Sequence, residues 1–181
     1  VMARAITLFK IYSKNKFKPN EIHYEMNNDL RQTNPKGVYV TSIVGSYNSQ
    51  TDIVELSNAG HLPALFKNGE GFKEYESSSL PLGIKKADNS NEYKLESFKL
   101  DNGRLYCFTD GFSECRNDKG EEIGIAGVKD LINSYQNTSL KKELSKIIKD
   151  VESKSTKGQK FEQNNDENIL EDDLTIIGLG K

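Results

Sequence analysis

The chain has 181 residues, with 25 Lys and Arg against 27 Asp and Glu and a formal net charge of −2. That length fits one domain with a real core, and the charge balance supplies no positive field to attract nucleic acid or an anionic membrane. No stretch approaches the roughly 18 apolar residues of a membrane span, and Cys107 and Cys115 lack metal-type spacing, so they read as reduced thiols of a cytoplasmic protein.

From Val1 to about Phe17, Val1, Ala5, Leu8, Phe9 and Tyr12 recur at helical spacing. The opening lacks the small-residue cleavage site of a signal peptide. Val1 begins inside the helical pattern with no N-cap residue before it, so the natural polypeptide is expected to start upstream. A second helix is expected from Pro19, a residue suited to the first helical turn, to about Leu30. After the Asn34-Pro35-Lys36-Gly37 turn, VYVTSIVGSYN is rich in β-branched and aromatic residues. The Asn48-Ser49-Gln50 break then leads into DIVELSNAG, and the pair reads as a hairpin. Further short strands are expected at HLPALFK, GFKEYE, EYKLESFKL and GRLYCFT, separated by Gly, Asn and Ser.

Between Ala126 and about Val151, the spacing of Val128, Leu131 and Ile132, then of Leu144, Ile147 and Ile148, predicts two helices broken near Asn137-Thr138-Ser139. The polar segment from Glu152 to Asn168 is expected to be a mobile loop, and LTIIGLG a short buried final strand. Helices, then strands, then helices, then a last strand fit a layered α+β domain better than an alternating parallel fold.

Four segments stand in order along this frame: SNAGHLPALF, LPLGI, LYCFTDGFSECRNDKGEEIG and EDDLTIIGL. Any one is a weak signal, but in this order they are specific. They resemble the SpoIIE/RsbU branch of the metal-dependent serine/threonine phosphatases, the PPM or protein phosphatase 2C-like family. The resemblance covers nearly the whole chain outside the Glu152 to Asn168 segment. It implies residues 1–181 to be the C-terminal two thirds of the domain, an α+β four-layer α-β-β-α sandwich missing its N-terminal strands. It also implies a two-metal site for Mn²⁺ or Mg²⁺. Hydrolysis of a phosphomonoester requires a very large acceleration, and paired hard cations supply it by polarising phosphoryl oxygens and activating water. Such cations take oxygen ligands, which short aspartates at strand ends provide.

Asp110 follows the apolar strand LYCFT and precedes Gly111, where the backbone can turn away and leave the carboxylate at the strand terminus. It matches the family's Thr-Asp-Gly metal ligand. Asp172 and Asp173 are the other candidate metal acids. Neighbouring side chains on a strand point to opposite faces, so one of the two is expected to ligate. More distant relatives carry Asp-Asn there, which favours Asp172 as the catalytic metal ligand and leaves Asp173 to bond the loop or a metal-bound water. In the segment after Asp110, Glu114, Arg116 and Asn117 are candidate substrate-binding residues. Arg116 is suited either to a phosphoryl group or to a surface pair with Glu114. His61, in Asn58-Ala59-Gly60-His61, has no neighbouring nucleophile and is expected to be architectural, with Gly60 allowing close packing. His23 reads as an ordinary partly buried helical residue.

The chain as given lacks the family's Gly-Asp-x-x-Asp and Asp-x-Ser-Gly-His-Gly segments, which furnish the metal-bridging aspartate and a glycine carbonyl ligand. By itself it is therefore expected to be weak or inactive, with an open sheet edge suited to pairing or a homodimer. The resemblance implies that the parent protein hydrolyses phosphoserine or phosphothreonine on a regulatory protein. The implied substrate is a STAS-domain anti-sigma-factor antagonist in a partner-switching pathway, with a sensor domain upstream. The alternative is a catalytically inactive phosphatase-like module that binds a phosphoprotein or regulator.

Overall fold

The computed structural model describes residues 1–15, 17–117, 119–135, 138–158 and 174–180. They form two compact units, one of residues 1–65 and 73–102 and the other of residues 66–72 and 103–181.

The first unit is a helical layer on an antiparallel sheet. Helix α1 spans Met2–Lys14 and α2 spans Pro19–Thr33. Pro19 opens α2 with φ already near helical values, and the Lys18 amide donates to the Glu21 carboxylate at 2.7 Å. Strands β1 (Ser42–Asn48) and β2 (Ile53–Ala59) form the expected hairpin, in register from Ser42 opposite Ala59 to Asn48 opposite Ile53. Asn48 closes its turn by accepting the Gln50 and Thr51 amides at 2.9 and 3.2 Å on its side-chain oxygen. Strand β5 (Glu96–Lys99) joins the other side of β2, giving the order β1-β2-β5. Helix α2 lies on β1 and β2. Its Ile22, Met26 and Leu30 pack with Ala5 and Leu8 of α1 and with Val44, Ala59 and Leu82 in one core cluster. His23 is fully buried rather than partly buried, because it faces the sheet and not the helix flank.

In the second unit, β6 (Arg104–Phe108) pairs antiparallel with β7 (Ile176–Gly180). They belong to a sheet of order β4-β3-β6-β7, in which β3 is Ala64–Asn68 and β4 is Gly71–Tyr75. A four-residue helix, α3, spans Asp110–Ser113 and is followed by α4 (Gly124–Tyr135) and α5 (Leu140–Gly158). Helix α5 packs on β7, and a Cβ at Gly178 would meet Leu140 at 3.0 Å and Leu144 at 3.2 Å, so glycine permits that approach.

Two expectations are corrected here. Residues Glu152 to Gly158 continue α5 rather than opening a loop; the remainder of the segment expected to be mobile lies outside the described residues. Among the described residues β7 is an edge strand, with Ile177 65% exposed, rather than a buried one. No helix among the described residues is long and apolar enough to cross a membrane.

Candidate active site

Strand β6 delivers Asp110. Its Leu105, Tyr106 and Phe108 are buried, and the chain then leaves the sheet at Thr109, which is still extended at φ −83° and ψ 163°. The Thr109 carbonyl accepts the Phe112 amide at 3.1 Å and the Asp110 carbonyl accepts the Glu114 amide at 2.9 Å, which closes α3. Phe112 is fully buried and meets Phe108 edge to face at 6.5 Å, so this short turn is held by packing rather than by length. Asp110 itself is exposed, and its Oδ1 accepts the Gly111 amide at 3.2 Å.

The start of β7 is tied to the same point. The Thr109 amide donates to the Thr175 carbonyl at 3.0 Å, and the Thr175 amide donates to Thr109 Oγ1 at 3.0 Å. Asp172 and Asp173, a few residues before Thr175, lie outside the described residues.

The segment after α3 doubles back as a small hairpin. Ile123 donates its amide to the Cys115 carbonyl at 2.8 Å, and Asn117 donates to the Glu121 carbonyl at 2.8 Å. Asn117 also shapes the turn with its side chain: Oδ1 accepts the Lys119 and Glu121 amides at 2.9 and 3.1 Å, and Nδ2 donates to the Glu121 carboxylate at 3.1 Å. Arg116 is exposed and donates to the Gly120 carbonyl at 2.9 Å. Glu114, at the end of α3, is exposed.

In the first unit, the Asn58–His61 segment is built as a tight corner. The Asn58 side chain accepts the His61 amide at 2.9 Å and donates to the Leu62 carbonyl at 3.0 Å. His61 Nδ1 lies 3.4 Å from the Leu62 carbonyl oxygen. Gly60 adopts φ +69°, and a Cβ there would lie 2.8 Å from Pro81 N and closer still to the proline ring. Ser77, which no motif drew attention to, holds the corner from outside by accepting the Gly60 amide at 2.6 Å and donating to the Asn58 carbonyl at 3.1 Å.

Neither thiol is poised as a nucleophile: Cys115 is buried, and burial pushes the Cys107 thiol up to about 11. An exposed carboxylate at a strand terminus is the donor type that Mg²⁺ and Mn²⁺ take, so Asp110 fits such an ion as one ligand. Among the described residues no three His, Cys, Asp or Glu side chains gather as a metal cluster.

The family model of SpoIIE, Stage II sporulation protein E, matches residues 1–180. The SiaA-PP2C domain of Pseudomonas aeruginosa superposes with a TM-score of 0.77 at 15% identity, over 99% of this chain and 67% of that one. The RsbU and RsbW domains of a Mycobacterium tuberculosis protein match at 0.64 and 19% identity, over 98% of this chain and 46% of theirs. The Mn-presoaked phosphatase domain of the cell fate determinant SpoIIE from Bacillus subtilis matches at 0.59 and 16% identity, over 97% of this chain and 70% of that one. No curated protein sequence matches. At these identities the superpositions speak to fold, and they give the α+β architecture of PP2C-like domains, of which this chain spans part. With the family model matched along almost its entire length, the chain belongs to the SpoIIE family of PP2C-like phosphatase domains.

Proposed function

We propose that the chain is the part of a metal-dependent protein phosphatase that carries Asp110 and Asp172 as metal ligands and removes phosphate from serine or threonine of a regulatory protein. The observation that carries this reading is the exposed Asp110 carboxylate at the end of β6, pinned to the start of β7 through Thr109 and Thr175. Asp172 stands three residues before Thr175, a reach of about 10 Å at most along the chain, so the two acids are within range of one site. Asp110 and Asp172 would hold Mn²⁺ or Mg²⁺, with Asp173 bonding the loop or a bound water. The cations supply an activated water and neutralise charge on the phosphoryl oxygens.

The chain's own groups divide the remaining work. The Asp110 carboxylate holds its charge at a strand end whose backbone is fixed by α3. Asn117 shapes the hairpin beside it, and Arg116, with one of its five N–H groups on Gly120, has the donor geometry for a phosphoryl oxygen. Glu114 sits at the mouth of the same hairpin, where it would select against further acidic groups on the partner.

The fold shared with part of the chain that holds the RsbU and RsbW domains, and with a chain of the bacterial stressosome, supports a partner-switching role. In that role the substrate is a STAS-domain anti-sigma-factor antagonist, met in the cytoplasm, with a sensor domain upstream in the parent chain. A homodimer would use the open β1 edge of the β1-β2-β5 sheet.

The test is Mn²⁺-dependent phosphate release from a phosphoserine protein by the polypeptide carrying the complete domain. Asp110→Asn keeps shape and hydrogen bonding but removes the charge, and it is expected to lower kcat at least about a hundredfold with folding unchanged. Turnover within about threefold of wild type, under 1 kcal/mol of barrier, would remove Asp110 from the chemistry and leave the phosphoprotein-binding module as the account.

A further inference from the structure

We infer that Thr109 is a positioning residue, whose hydroxyl oxygen replaces a backbone carbonyl in the β6–β7 ladder and so fixes Asp110 against the start of β7. The inference deepens the metal-dependent reading above and rests on it for the role of Asp110.

Opposed residues of a hydrogen-bonded antiparallel pair normally exchange two backbone bonds. The register runs from Arg104 opposite Gly180 to Phe108 opposite Ile176, which places Thr109 opposite Thr175. One bond of that pair is regular, from the Thr109 amide to the Thr175 carbonyl at 3.0 Å. The return bond runs instead from the Thr175 amide to Thr109 Oγ1, at 3.0 Å. The Thr109 carbonyl accepts the Phe112 amide at 3.1 Å and thereby opens α3. One residue therefore serves two structures: its backbone oxygen starts the helix that carries Asp110, and its side-chain oxygen continues the sheet.

This double use sets the chemistry of the position. The residue needs an oxygen on Cβ to meet the Thr175 amide, and it needs an extended backbone, which β-branching favours. Threonine satisfies both. Serine keeps the oxygen and valine keeps the shape, so the two substitutions separate the hydrogen bond from packing. Without the oxygen, the Thr175 amide loses its partner and the start of β7 is held to Thr109 by one bond instead of two, which loosens it relative to Asp110. Supports of this kind behind a metal ligand commonly govern affinity through orientation.

The test uses the ¹⁵N-labelled full chain with Mn²⁺ as the probe, read as exchange of the Thr175 amide and as paramagnetic broadening of the Gly111 amide. Thr109→Val is expected to raise Thr175 exchange and weaken the apparent Mn²⁺ affinity, each by about tenfold, while Thr109→Ser stays within about twofold of wild type. If the valine variant fails to fold, Thr109→Ala removes the hydroxyl without placing a methyl against the Thr175 amide and carries the same expectation. The inference is overturned if the valine or alanine variant loses Thr175 protection yet binds Mn²⁺ like wild type, or if serine is as deficient as valine. Asp110→Asn separates the two layers. If it retains the Mn²⁺ response, the metal assignment itself fails, whereas loss in Asp110→Asn with retention in Thr109→Val sinks the positioning role alone.

Discussion

His23 shows what full burial does to a side chain that titrates near neutrality. Its Nδ1 lies 3.0 Å from Ser57 Oγ and its Nε2 3.3 Å from Ser42 Oγ, and each hydroxyl can donate or accept, so a neutral ring is satisfied on both sides. Burial lowers its pKa from 6.5 to about 4. Between those values the unfolded chain binds a proton that the folded chain refuses. The associated stability is therefore complete above the unfolded value and is lost as the pH falls toward the folded one, a change of about 3 kcal/mol. Urea unfolding should show the gap between wild type and His23→Gln narrowing as the pH drops from 7 to 4.5, and parallel pH profiles would mean that His23 titrates normally. At the corner that carries His61, Gly60→Ala combines a left-handed backbone with a collision against Pro81. It is expected to cost about 2 to 4 kcal/mol by the same measurement, and a loss below 1 kcal/mol would show that the corner can shift.

Among the elements, the join between β6 and α5 is polar where most of the second unit is apolar. Glu143 of α5 is fully buried, forms an ion pair with Arg104 and accepts the Tyr106 hydroxyl at 2.8 Å; Arg104 also donates to the Thr138 carbonyl at 2.9 Å. Burial first, then the bond to Glu143, pushes the Tyr106 hydroxyl well above its ordinary value, so it stays protonated and donates. Glu143→Ala leaves both partners facing a space without an acceptor. The expected loss is about 2 to 3 kcal/mol, below the usual range for a fully buried pair because the Arg104 side chain is 21% exposed. A thermal midpoint unchanged from wild type would show that water replaces the carboxylate. This network was not legible in the sequence, where Glu143 is one more charge on an amphipathic helix and its partners lie far back along the chain. The β1–β2 hairpin was legible, because β-branched runs and an Asn turn are local signals. The extension of α5 from Glu152 to Gly158 was missed because that stretch of sequence lacks apolar periodicity and is propagated from the packed Ile147 and Val151. The apolar run of β7 suggested a buried strand, yet such a run cannot tell an edge from a centre.

For the molecule as a whole, candidate acids could be named from the sequence and their support could not. Asp110 stood out because Thr-Asp-Gly follows an apolar strand, but the role of Thr109 depends on a register that only the paired strands reveal. The donor inventory also sets how strongly the chain should hold metal. The sequence contains neither Gly-Asp-x-x-Asp nor Asp-x-Ser-Gly-His-Gly, and about a third of the SiaA-PP2C domain has no counterpart in it. A cation held by Asp110 and Asp172 would keep water at most of its six positions, and rehydrated sites of few carboxylates bind weakly. Calorimetry on the 181-residue chain should therefore give a Mn²⁺ dissociation constant weaker than about 0.1 mM, rising further in Asp110→Asn. Submicromolar binding that survives Asp110→Asn would place the ion on other residues, and the same affinity lost in that variant would require ligands beyond the two aspartates. A weak, Asp110-dependent isotherm is the outcome that joins this chain to a larger metal centre, in which further oxygen donors replace the water that Asp110 and Asp172 leave in place.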